Sequence, residues 1–287
     1  MRAPTDGSPT DSTPWQFLAS STRGAAHRAA ALANEDAHAW RVFDAAEGPV
    51  AVAAVADGHG HRRHFRAERG ARLAVEHACR FAEAHGQHID RIGGESELEE
   101  FGREIVVPTV LEDWRRAVAA DLDRDAFTPE EEAVRASAGD DPVIAYGATL
   151  LMALLGDRFV LVSQIGDGDV VALGVDGAVD VPVPVDPTLD GHHTTSLCQP
   201  SAAASFRLAV IDQAAHRLTA LLMATDGFGN AQASEPWPPA VGADIASMLG
   251  RRGTRWVGEQ LPLWTARCAS TEGSGDDTTV ILAVRRP

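Results

Sequence analysis

Five apolar runs in this chain end or begin on a carboxylate. "VAAVADGHGH" (Val52 to His61) passes from apolar residues into Asp57-Gly58 and two histidines, "RFVLVSQIG" runs into Asp167-Gly168, and "LTALLMAT" runs into Asp226-Gly227. Asp276-Asp277 stands directly before "TTVILAV", and Asp36 in "LANEDAHAW" precedes a further run. Asp-Gly is an ordinary turn dipeptide, so any one of these reads as a plain turn. Together they read differently. Carboxylates gathered at one rim of a sheet repel one another unless cations sit between them, and all-oxygen ligation suits Mg²⁺ or Mn²⁺ better than zinc. The chemistry implied is hydrolysis assisted by hard metal ions.

The elements that must carry these residues follow from periodicity. Nine short apolar runs have strand length and turn-like borders: "WQFLASS", "AHAWRVF", "VAAVA", "ATLLMALL", "RFVLVSQI", "DVVALGV", "FRLAVI", "LTALLMAT" and "TTVILAVR". Apolar residues recurring at three and four predict helices over His64 to His85, Glu97 to Leu122 and Gly242 to Ala269. Most successive strands lack a crossover helix between them, which favours an α+β fold with antiparallel sheets over a parallel array. Neighbouring antiparallel strands place the end of one beside the start of the next, so Asp226 and Asp276 are expected to share a rim. The acidic, apolar-poor "DLDRDAFTPEEEAVRASAGDDP" reads as a surface loop. Residues 1–14, rich in Pro, Ser, Thr, Asp and Gly, read as a disordered tail ahead of one catalytic domain spanning residues 15–287.

The ordered series "NED" (Asn34 to Asp36), "ADGHG" (Ala56 to Gly60), "GAT" (Gly147 to Thr149), "IGDGD" (Ile165 to Asp169), "ATDGF" (Ala224 to Phe228) and "DDTTV" (Asp276 to Val280) resembles the metal-dependent serine/threonine protein phosphatases of the type 2C class. Each motif is weak alone; six in order, from about Gly24 to Arg285, are specific. The resemblance implies two packed antiparallel sheets flanked by helix pairs, with two tight Mn²⁺ or Mg²⁺ ions and a possible third at one end. It implies that Asp57 bridges the two ions, that Gly58 offers its carbonyl oxygen, and that Asp226 and Asp276 complete the shell. Asp36, with Glu35, would act through bound waters, and Asp167 would touch the third metal. Where the family commonly has a phosphate-binding arginine, this chain has Ala31. A bacterial branch instead resembles "GAAHRAAALANED", so His27 or Arg28 becomes the phosphate anchor, with Arg28 equally readable as a solvated surface charge. Asn230 stands where an acidic residue is common, which weakens the third metal. With an ordinary pKa of about 6.5, His59 is expected to protonate the leaving serine or threonine oxygen.

Other readings bear on the same residues. "HGHRRH" (His59 to His64) spaces three histidines like the zinc signature of the metallo-β-lactamase fold, but Arg63 stands where that signature needs an aspartate. His61 and His64 read as surface residues at the start of a helix, and His192 and His193 as flap residues without a catalytic role. His59 also reads as a residue ordering metal-bound water. A non-catalytic phosphatase-like binding module would be expected to lack a bridging aspartate, whereas Asp57, Asp226 and Asp276 are all present. The formal charge of −16, from 41 acidic and 25 basic residues, argues against nucleic acid or an anionic membrane as partner. Cys79, Cys198 and Cys268 are unpaired in spacing, no run approaches the length of a membrane span, and no basic-then-apolar leader begins the chain. A cytoplasmic signalling phosphatase acting on the phosphoprotein product of a serine/threonine kinase is the expectation.

Overall fold

A computed structural model describes residues 13–45, 48–138, 141–187, 189, 194–233 and 236–286. Among the described residues, ten strands form two five-stranded antiparallel sheets. One sheet orders β2 (Ala37–Ala45), β3 (Gly48–Ala56), β4 (Leu150–Leu155), β5 (Phe159–Ile165) and β8 (Arg207–Asp212) side by side. The other orders β1 (Trp15–Thr22), β10 (Thr278–Arg285), β9 (Leu218–Ala224), β6 (Asp169–Gly174) and β7 (Val179–Asp180). The nine expected strands all form. The two-residue β7 is too short to leave a periodic signal.

Strands β3 and β4 carry no polar side chain because both of their faces are covered. In β3, Ala51, Ala53 and Val55 pack between the sheets with Leu151, Val162, Met223 and Ile281. The alternating set Val52, Ala54 and Ala56 packs under α2 (Ala67–His85) and α4 (Val107–Arg124). The second sheet alternates in the same way, with Leu222, Ala224, Val280 and Leu282 packed under α8 (Pro238–Arg252) and α9 (Thr254–Cys268). The period-two placement of side chains thus makes two outer cores and one inner core from the same strands.

Three helical segments differ from expectation for local reasons. The stretch read as one helix over Glu97 to Leu122 is α3 (Glu95–Phe101), a widened π turn over Gly102–Val106, and α4. Pro108, in the first turn of α4, has no N–H to bond backward, and the wider turn before it accommodates that loss. The stretch over Gly242 to Ala269 breaks at Gly253, whose φ of +81° a side chain would resist, and so becomes two helices, α8 and α9. The acidic segment expected as a loop contains α5 (Pro129–Ala138). Its signal is a capping box: Glu131 N donates to Thr128 Oγ1 at 3.2 Å while Thr128 N donates to Glu131 Oε2 at 2.9 Å. Arg66, buried against the ring of Tyr146, holds α5 down through a 2.8 Å ion pair with Glu131.

The expected disordered tail falls mainly on residues 1–12, outside the described residues. Of the two described residues of that stretch, Thr13 is buried and Pro14 accepts a 2.6 Å hydrogen bond from Arg286 N. No described helix is long and apolar enough to cross a membrane.

Candidate metal centre and active site

Strand register gathers the aspartates. Ala37 pairs with Ala56, which puts Asp36 and Asp57 at adjoining ends of β2 and β3. Ala224 pairs with Val280 on one side and Asp169 on the other, so Asp226, Asp276 and Asp167 leave the same rim of the facing sheet. Threonines pin the loops. Asp57 N donates to Thr149 Oγ1 at 2.9 Å, Thr149 N returns a 2.8 Å bond to the Asp57 carbonyl, and Thr225 Oγ1 donates to Asp36 Oδ2 at 2.9 Å. That last bond ties the two sheets together at the carboxylates.

Two glycines permit the close approach. A Cβ on Gly58 would lie 2.7 Å from the Glu35 carbonyl oxygen, and one on Gly227 would lie 2.0 Å from that of Asp277. Any side chain there would force apart the backbones that carry Asp57 and Asp36, or Asp226 and Asp276.

The electrostatics are those of anions held together without compensation. Burial, and then the neighbouring carboxylates, push Asp57 well above the usual carboxylate range. Burial likewise raises Asp36 despite hydrogen bonds from Thr279 and Thr225. Burial lifts Asp226 to about 6, with Asp167 and Asp276 adding repulsion, and lifts Glu35 to about 7. The Asp57 and Asp226 carboxyls act on each other, and the raised values of both express the cost of holding two buried anions together. Glu35 Oε2, Asp36 Oδ1 and Asp226 Oδ1 are buried with no hydrogen-bond partner. Among the described residues, no arginine lies within ion-pair distance of Glu35, Asp36, Asp57, Asp226 or Asp276. Buried acceptors left without donors fit hard divalent cations. Among the described residues, no three His, Cys, Asp or Glu side chains close on a single point.

The remaining site residues divide. Asp167 is half-buried beside Asp226, whereas Asn230 turns its Nδ2 to Asp226 Oδ2 at 3.0 Å and supplies a donor in place of a further carboxylate. His27 reaches the cluster, its Nδ1 2.7 Å from Asp277 Oδ2. Arg28 does not: its guanidinium is spent on the carbonyls of Arg23 and Ala269. His192 and His193 lie outside the described residues. Residues the sequence reading passed over are Asp277, Thr149 and Thr225. Asp277 and Thr225 each adjoin a strand-end aspartate, which was their only signal, whereas Thr149 has no aspartate near it in the chain and is brought to Asp57 by the pairing of β3 with β4.

His59 sits buried just past the end of β3. Its ring packs edge-on against His64, with centroids 5.0 Å apart, and its Nε2 is buried without a partner. Burial, then the nearby His64 and Arg63, hold its pKa down to about 3, which favours the neutral imidazole. His64 is a correction. It is 3% exposed, receives Arg63 Nε at its Nε2 and meets the Ile144 carbonyl at 2.5 Å through Nδ1. With both nitrogens engaged it has no lone pair for zinc, which removes the metallo-β-lactamase reading. His61 is exposed, as expected. Replacing His59 by Gln should therefore slow a phosphothreonine peptide and p-nitrophenyl phosphate by the same factor. A loss confined to the peptide, whose alkoxide leaving group needs a proton most, would restore the general-acid role.

Two antiparallel sheets packed face to face, covered by helices and carrying a carboxylate rim, define a hard-metal hydrolase of the phosphatase sandwich class. The family model described as Protein phosphatase 2C matches residues 23–264, and the chain belongs to that family. Comparison with curated protein sequences finds no match. Among solved structures, the serine/threonine phosphatase Stp1 from Staphylococcus aureus is similar, with a TM-score of 0.61 at 16% identity, covering 96% of this chain and 97% of that one. The catalytic domain of the serine/threonine protein phosphatase PstP, solved in complex with two manganese ions, gives a TM-score of 0.52 at 18% identity over 95% of this chain and 99% of that one. A bacterial serine phosphatase gives 0.59 at 16% identity, covering 95% and 97%.

Proposed function

We propose that this chain is a phosphoprotein phosphatase that hydrolyses phosphoserine and phosphothreonine monoesters with two Mn²⁺ or Mg²⁺ ions. The observation that carries this reading is the set of buried, partnerless carboxylate oxygens on Glu35, Asp36 and Asp226 around the Asp57–Asp226 pair. Family membership and the two manganese ions in the PstP structure support it.

Asp57 and Asp226 are the residues placed to share charge between ions, Asp276 flanks them from the exposed side, and Asp36 and Glu35 face the site from the β2 end. Gly58 brings its backbone against Glu35. Bound ions would supply an acidified water as nucleophile and neutralise charge on the phosphoryl group. His27 is assigned to the phosphoryl oxygens, and His59 serves as a neutral packing ring at the strand end. The substrate is the phosphorylated product of a serine/threonine kinase, handled in the cytoplasm as part of signalling. The strong negative charge disfavours nucleic acid or an anionic membrane as partner. Residues 15–287 are assigned to one catalytic domain.

The deciding assay follows phosphate release from a phosphothreonine peptide with Mn²⁺ and after chelation by EDTA. Turnover that survives complete chelation removes the reading. For the third metal, Asn230 and the peripheral position of Asp167 predict that Asp167→Ala keeps two tight Mn²⁺ sites in calorimetric titration. Loss of a tight site would move Asp167 into the inner set.

A further inference from the structure

Asp277 has no part in the ligand set above, yet it is among the most connected side chains at the rim. It is 3% exposed. Its Oδ1 accepts Gly24 N at 2.6 Å, and its Oδ2 accepts Glu35 N at 2.6 Å and meets His27 Nδ1 at 2.7 Å. One carboxylate thereby fixes the start of α1 (Ala25–Ala29), the loop carrying Glu35 and Asp36, and one imidazole.

The other nitrogen of that imidazole faces a gap. A Cβ placed on Gly60 would lie 3.4 Å from His27 Nε2 and 3.8 Å from the buried, partnerless Glu35 Oε2, so the absent side chain at 60 leaves Nε2 open toward the carboxylate cluster. The nearby guanidiniums are committed elsewhere, Arg23 to the Leu32 carbonyl and Arg28 to those of Arg23 and Ala269. His27 is thus the basic side chain of α1 that faces the site.

We propose that Asp277 is a positioning residue which, through His27, builds the phosphoryl-oxygen clamp of this enzyme. The proposal rests on the phosphatase reading above. Asp277, 2.7 Å from Nδ1, fixes the plane of the ring so that Nε2 is the nitrogen left to meet a phosphoryl oxygen. Because the clamp holds substrate and transition state alike, its removal raises KM more than it lowers kcat.

Three variants, Asp277→Asn, His27→Gln and the double, are compared for kcat and KM on a phosphothreonine peptide. Calorimetry on the Mn²⁺-loaded protein then gives the affinity for inorganic phosphate and for Mn²⁺. Each single change should raise KM and weaken phosphate binding by about tenfold, the lower end for a hydrogen bond to a charged group. Mn²⁺ affinity should hold, and the double variant should be no worse than either single. Multiplying effects in the double, or unchanged phosphate affinity in either single variant, overturns the proposal. Should Asp277→Asn fail to fold, His27→Gln still decides, because it leaves the bonds from Gly24 N and Glu35 N in place. Phosphate affinity is read without turnover, so failure of the phosphatase reading and failure of the clamp are separate outcomes.

Discussion

Asp57→Asn should reduce Mn²⁺-dependent hydrolysis of a phosphothreonine peptide by about 10²–10³-fold or more, the range for losing one preorganised electrostatic group, while leaving the fold intact. The carboxylate is held at the end of β3 by backbone bonds to Thr149, which an asparagine keeps. What changes is charge: the amide cannot bridge two cations, and it donates where Asp226 needs relief from repulsion. Circular dichroism should be unchanged and the melting temperature of the metal-free variant equal to or above that of the wild type. Undiminished turnover at saturating Mn²⁺ would dismiss Asp57 as the shared ligand.

Metal-free protein should lose stability as pH rises through the range where the cluster ionises. Asp226, ordinarily near 3.8, is held at about 6, and Glu35, ordinarily near 4.5, at about 7. The folded chain therefore keeps protons that the unfolded chain has released, so stability is fully present below about pH 4 and declines until pH passes about 7. After discounting for partial solvent screening, Asp226 accounts for about 2 kcal/mol, or roughly 4–8 °C in a chain of this length. With EDTA present, Asp226→Asn should match the wild type near pH 4 and melt higher by that amount near pH 7.5. Saturating Mn²⁺ should reverse the order at pH 7.5 by stabilising the wild type more, since cation binding is favoured once the carboxylates are deprotonated. Equal melting curves for both proteins across the range would show that the carboxylates bear no mutual strain.

The strand-end aspartates were legible because their signal is local: an apolar run of period two stops and a carboxylate follows. Register did the rest, since Ala37 pairs with Ala56 and Ala224 with Val280, which sets the aspartates beyond those strand ends side by side. The state of His59 was not legible. Its burial comes from Gly147 and His64, and the carbonyl holding His64 belongs to Ile144, some 80 residues away in the chain. Asp277 was hidden for a different reason, because adjacent aspartates look interchangeable until the backbone turns one outward and the other in. In contrast, α5 was legible and missed: "TPEE" carries a capping box whose weight was outvoted by acidic composition.

The hydrogen bond from Gly24 N to Asp277 joins residues 253 positions apart. Every version of the cluster needs Asp36 and Asp57 from the first strands and Asp276 from the approach to the last, so no stretch of chain ending before β10 contains it. During synthesis the rim therefore stays open until the final strand inserts between β1 and β9, and ordering so distant a pair is among the slow steps of folding. Catalytic competence is therefore indivisible: a fragment that lacks β10 holds some of the carboxylates but never the cluster.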